Sequence, residues 1–246
     1  TLITGIGMFT SVFLTPVIAQ RLLGFSPIQP GFLSLPGAVI AILGLIVSGR
    51  LLYYGVSPLV IVVAGFACFI FFNWNMHGMS LDTSANFITG NLIFRALGMA
   101  FLTVPLTMLA VSTLSAQDIP QGAALNNMMR QLGGAFGISA INTYAARRVA
   151  VHRTDLLENI TSTNPEAVER LNSYTNYFQQ KGIGLADAHQ KGMEVIERVV
   201  VKQSTLLSYT DSYFLIGLLF ALALPLLLFV VKTPKSAAPK MILSDH

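Results

Sequence analysis

The chain has 246 residues, of which 53% are hydrophobic and 11% charged, with a formal net charge of +4 and a mean hydropathy of +0.65. An ordinary soluble domain is about 25% charged. Only six of the 26 charged residues fall in residues 1–146, which excludes a water-soluble core with a charged outer face on each helix. No Lys/Arg block is interleaved with aromatics, so the footprint of a nucleic-acid binder is absent too.

A helix crossing lipid needs about 20 mostly apolar residues, because its backbone polar groups must pair within the segment. Taken in chain order, six segments qualify: 2–23, 29–53, 57–76, 86–114, 122–146 and 208–231. Turn signals separate the first five: Gly24-Phe-Ser-Pro27, Gly55-Val-Ser-Pro58, His77-Gly-Met-Ser80 and Asp118-Ile-Pro120. Each puts Gly or Pro where a helix must stop, and the short loops make consecutive helices antiparallel neighbours. Residues 147–207 are of another kind, with fifteen charged residues. They predict a polar extramembrane helical insert, with one helix at about 165–180, started by Asn164-Pro165 and Glu166, and another from about 185 leading into the last span. Residues 232–246 form a tail. Its Lys232, Lys235 and Lys240 share a side with Arg50, which places the tail in the cytoplasm by the positive-inside rule. The opening Thr-Leu-Ile-Thr-Gly carries no signal peptide, and residue 1 reads as a cut in a longer protein.

The residues offer little enzyme chemistry. His-Glu-x-x-His, Gly-x-Ser-x-Gly and Walker patterns are missing, so no catalytic residue is expected. Cys68 is the single cysteine, and the four histidines lack metal-ligand spacing, so neither a metal nor a cofactor is expected. Small residues recur at helix-packing intervals: Gly37 with Ala41, Gly44 with Ser48, and Gly133, Gly134 and Gly137 in one run. Such spacing lets helix backbones approach closely in lipid, as static packing or as a sliding contact. Polar groups within spans are expensive and need a reason. Gln20, Asn91, Arg95, Asn126, Asn127, Arg130 and Asn142 are candidates for a substrate cavity or gate; snorkelling to the interface or pairing with helix carbonyls is the alternative for the two arginines. Asp211 is the acid nearest the middle of a span and the one possible ionisable coupling residue, although it stands near the start of its segment.

Two runs carry a resemblance. One is Thr15-Pro-Val-Ile-Ala-Gln20, then Leu23-Gly-Phe-Ser-Pro-Ile-Gln-Pro-Gly31 and Leu35-Pro36. The other is Gln121-Gly-Ala-Ala-Leu-Asn-Asn-Met-Met-Arg130-Gln-Leu-Gly-Gly-Ala-Phe-Gly137. Both resemble the Emr-type, fourteen-span drug:proton antiporters of the major facilitator superfamily, as does Phe94-Arg95-Ala-Leu-Gly98 through Pro105. The resemblance implies an all-α membrane protein whose six transmembrane helices form the carboxy-terminal bundle of a major facilitator fold, built of two inverted three-helix repeats. It implies multidrug efflux by alternating access across the bacterial cytoplasmic (inner) membrane, driven by the proton gradient, with small lipophilic or amphipathic substrates. It places Arg130 at the cytoplasmic mouth and the main coupling acid upstream of this chain. It also makes a periplasmic adaptor (membrane fusion) protein a candidate partner of the polar insert. The membrane domain of an ATP-driven exporter and a non-transporting membrane scaffold are the competing readings.

Overall fold

The computed structural model describes residues 1–158, 160, 161 and 163–230; the tail at 232–246 lies outside them. Every regular element among the described residues is an α-helix: α1 Leu2–Arg21, α2 Gln29–Tyr53, α3 Pro58–His77, α4 Ala85–Val111, α5 Ile119–Glu158, α6 Pro165–Gln180 and α7 Leu185–Val230. The ends follow the punctuation in the sequence. Prolines occupy the first turns of α2, α3 and α6, where a missing N–H costs nothing. Gly24, Gly55 and Gly182 take positive φ just past α1, α2 and α6, a conformation that other residues adopt only with strain. Ser84 caps α4 by accepting from the Phe87 N–H at 3.3 Å. Ser84→Ala is expected to lower unfolding stability by about 1 kcal/mol, read as a fall in the thermal midpoint with no change in helix content.

Five helices among the described residues are long and apolar enough to cross a membrane: α1, α2, α3, α4 and α7. The span expected at 122–146 lies within α5, which is too polar to join that set, since Asn126, Asn127, Arg130, Gln131 and Asn142 interrupt it. It is nevertheless packed as a bundle member, lying along α1 and α7. The composition changes at residue 146, but the helix does not. α5 runs on for 40 residues in all and α7 for 46, so at 1.5 Å per residue they reach about 60 and 70 Å. The hydrocarbon layer is about 30 Å thick. The excess of both helices, with α6 packed on α7, makes a helical stalk at one end of the bundle. Arg153 of α5 meets Glu197 of α7 there at 2.8 Å.

Two three-helix sets build the bundle. Asn126, in the first turns of α5, accepts from Thr1 Oγ1 (2.6 Å) and donates to Thr107 Oγ1 (3.2 Å). The start of α1 and the end of α4 therefore share one end of the molecule, and the two helices run in opposite directions. The second helix of each set leaves its own set: α2 packs along α4, and α5 packs along α1. The third helices, α3 and α7, pack on each other through an aromatic core in which Phe69 and Phe220 lie 4.4 Å apart and Phe72 meets Tyr213 edge-on at 5.8 Å.

Glycines make both exchanges possible. Gly37 of α2 faces the Leu92 carbonyl of α4, and Gly44 faces Ala100. Gly133 and Gly5 each lie against the other helix's backbone, at Leu2 and Arg130, while Gly137 faces Ile6 and Thr10. Residue numbers rise together along both seams, so α2/α4 and α1/α5 are parallel pairs. Outside its seam α2 leaves Phe32, Leu35, Val39, Ile42 and Ile46 half or more exposed. An apolar face of that extent suits lipid or another helix layer rather than water. The chain is an all-α membrane protein.

Candidate functional site

The polar residues singled out in the sequence do not converge on one point. All but Asn142 fall in three places along the bundle.

The first is the middle of α1 and α4. Arg95 sits one turn from Asn91, which is buried and spends its amide on the Phe87 carbonyl of its own helix (2.9 Å). The Arg95 guanidinium reaches across to α1, where Nη1 donates to the Ser11 carbonyl at 3.3 Å and to Thr15 Oγ1 at 3.4 Å. Its carbon lies 5.9 Å from the centre of the Phe72 ring. Thr15 gives its own hydroxyl proton to the Ser11 carbonyl (2.9 Å). Its oxygen therefore accepts from the buried Tyr213 hydroxyl, 3.0 Å away. Arg95 and Gln20 both line a cavity of about 260 Å³ enclosed by α1, α2 and α4.

The second place is the end of the bundle opposite the stalk. Asn126 is buried and ties α1 to α4 as described. One residue on, Asn127 is exposed and accepts from Arg130 Nη2 at 2.7 Å. Arg130 thus bonds within its own helix, with Asn127 and Gln131 beside a shallow apolar hollow made by Met128, Leu132 and Ala135. Asn142, deeper in α5, is exposed and joins neither group.

The third place is where the bundle meets the stalk. Asp211 Oδ2 accepts from Arg148 Nε at 2.6 Å and lies 2.8 Å from His152 Nε2. Arg148 and His152 stand one turn apart on α5, so both face α7. The hydrogen bond to the carboxylate raises the Arg148 pKa further above its ordinary value. Nearby, Ser208 donates to the Ala145 carbonyl at 2.6 Å, and His77 Nδ1 lies 3.1 Å from the Thr210 carbonyl. Neither Arg148 nor His152 is among the candidates that the sequence alone suggests, because both fall in the stretch read there as a polar insert. Their spacing of four residues on a continuous helix was the signal that could have joined them, and it became readable only once α5 ran past residue 146.

No protein-family model matches the chain. Three curated relatives illustrate its similarities. One is the uncharacterized MFS-type transporter YhcA of Bacillus subtilis, 29% identical over 67% of this chain and 31% of the relative. Another is the fatty acid resistance protein FarB of Neisseria gonorrhoeae, 26% identical over 90% of this chain and 42% of the relative. The third is the multidrug export protein EmrB of Escherichia coli K12, 23% identical over 90% and 42%. The chain spans less than half the length of each. With the helix exchange and the apolar outer faces, these similarities give one result: the chain's relatives are MFS-type transporters, the EmrB multidrug export proteins among them.

Proposed function

We propose that this chain is the carboxy-terminal part of a secondary active exporter of lipophilic or amphipathic compounds. It works in the bacterial cytoplasmic membrane by alternating access and is driven by the proton gradient. The observation that carries the reading is the reciprocal exchange of α2 and α5 between two three-helix sets along glycine seams. An arrangement of inverted repeats supports rocking of helix layers about a central site, and smooth backbone-to-backbone seams allow small shifts without rotamer changes. The names of EmrB and FarB support export of drugs or fatty acids. The ATP-driven alternative needs long helix extensions on the tail side, whereas the long extensions of α5 and α7 lie at the opposite end.

In this reading Gln20, Asn91 and Arg95 face the substrate path. Asn126, Asn127 and Arg130 form a gate at the cytoplasmic end, and Asn142 lines the contact with the rest of the protein. The proton-carrying acid lies outside this chain. Arg130→Ala is expected to slow transport and to increase labelling of a cysteine placed at residue 127; normal transport with unchanged labelling removes the gate role. The stalk of α5, α6 and α7 is the surface offered to a periplasmic adaptor protein, and crosslinking from residues 165–200 in cells that recovers no adaptor removes that partner.

The deciding experiment uses the full-length protein in proteoliposomes. An imposed pH gradient is expected to drive accumulation of a lipophilic dye, and nigericin to collapse it. Dye flux indifferent to the gradient sinks proton coupling, and absence of flux with any of a panel of lipophilic drugs sinks the exporter.

A further inference from the structure

We propose that the cavity between α1, α2 and α4 is a head-group site for amphipathic anions, carboxylates or sulfonates, with Arg95 as the counter-cation. This rests on the export reading above and narrows its substrates to amphiphiles with an anionic head.

The argument starts from the donors of the guanidinium. Arg95 has five N–H groups, and only Nη1 finds acceptors, at 3.3 and 3.4 Å. Both distances exceed the usual range of about 2.7–3.2 Å for an N–H···O bond. Nε is shut off from solvent and has no acceptor among the described residues, and Nη2 makes no bond among them. No carboxylate among the described residues pairs with Arg95. The two acids within residues 1–146, Asp82 and Asp118, both lie in turns between helices. An intramembrane cation held by two long bonds and one ring face is under-compensated, and such groups mark ligand or ion paths.

Nε is sealed within the bundle, but Nη2 is not, and a carboxylate or sulfonate in the cavity accepts a charge-assisted hydrogen bond from it. Thr15 cannot replace that anion: its proton is committed to the Ser11 carbonyl, and its oxygen already receives Tyr213. These fixed partners hold the guanidinium against α1 and fix its position at the cavity wall. The cavity itself, about 260 Å³, joins Arg95, Gln20 and Ser34 to apolar walls from Val12, Leu33 and Leu92. Whole-ligand pockets run to about 300–1,000 Å³. The space therefore suits a polar head and its first methylenes, with the tail leaving along the exposed apolar face of α2.

The test uses full-length protein in phosphatidylcholine nanodiscs at pH 8, with 11-(dansylamino)undecanoate and its primary amide as fluorescent probes. The acid is expected to bind about tenfold more tightly than the amide. Arg95→Gln brings that ratio close to one, and Arg95→Lys keeps most of it. A ratio near one in the unaltered protein, or a ratio unchanged in Arg95→Gln, overturns the proposal. Where Arg95→Gln does not fold, the ratio in the unaltered protein and in Arg95→Lys decides: no preference for the acid in either overturns it. Phosphatidylglycerol carries the same chemistry as a lipid head group. Competition by it that persists in Arg95→Lys and is lost in Arg95→Gln assigns the anion site to lipid as well, and no competition assigns it to the free amphiphile. Acid preference without gradient-driven flux sinks the exporter and leaves the head-group site; flux with a ratio near one does the reverse.

Discussion

Gly133→Leu is expected to lower the unfolding stability of the protein by about 2–3 kcal/mol, whereas Gly90→Ala leaves it unchanged or slightly higher. Both are glycines inside long helices, so helix propensity alone cannot separate them. What separates them is the neighbour. A Cβ at Gly133 runs into the Leu2 backbone of α1, and nothing lies within 4 Å of one at Gly90. A backbone carbonyl cannot rotate out of the way as a side chain can, so α1 and α5 must move apart. Gly5 on the facing helix sits equally close to the Arg130 backbone, so the whole seam opens rather than one contact. In lipid there is no hydrophobic gain from helix association to compensate, and van der Waals contact carries the packing. Gly44→Leu makes the same test on the α2/α4 seam, where a Cβ stands 2.8 Å from that of Ala100. Thermal unfolding midpoints in one detergent check all three. Equal midpoints for Gly133→Leu and the unaltered protein would mean that the seams do not hold the bundle.

Those seams also show what could be read from sequence. The Gly-x-x-x-Gly spacing announced close approach, and Gly133 and Gly137 do meet α1. Which helix they would meet was not written in α5, because the partner is set by the exchange between the two sets, a relation between segments more than a hundred residues apart. The helix class was legible because lipid permits so few alternatives: apolar runs stopped by Gly and Pro had to be helices. Polar residues were harder to place. Asn91, Asn126 and Arg130 look alike in sequence, each a costly group in an apolar helix. In the structure Asn91 satisfies its own helix, Asn126 bridges two others, and Arg130 bonds to Asn127. Burial cost identifies such groups, whereas their partners depend on helix rotation, which a pattern with weak amphipathicity does not fix. The stalk was hidden for a related reason. A change from apolar to charged composition reads as a boundary, yet a helix that leaves lipid for water has no physical cause to stop.

Asp211 gives the second large effect and separates a clamp from a proton carrier. Its carboxylate receives Arg148 and lies beside His152 in the same geometry, where α5 and α7 leave the bundle. Asp211→Ala is expected to cost about 2 kcal/mol, because it strands two donors that are only partly open to water. The side chains of Arg148, His152 and Asp211 are 35%, 15% and 21% exposed, and that exposure lets solvent recover part of the loss. Arg148→Ala costs less, since the more exposed partner is removed and His152 still faces the carboxylate. The double variant is expected to be more stable than the sum of the single changes predicts, by about 1 kcal/mol, as for two groups in one network. Asp211→Asn keeps one acceptor for Arg148 and removes the exchangeable charge. A clamp then predicts a modest fall in the unfolding midpoint with proton-linked flux preserved per folded molecule. A carrier predicts the reverse, a near-normal midpoint with coupling abolished, and that outcome would return the coupling acid to this chain.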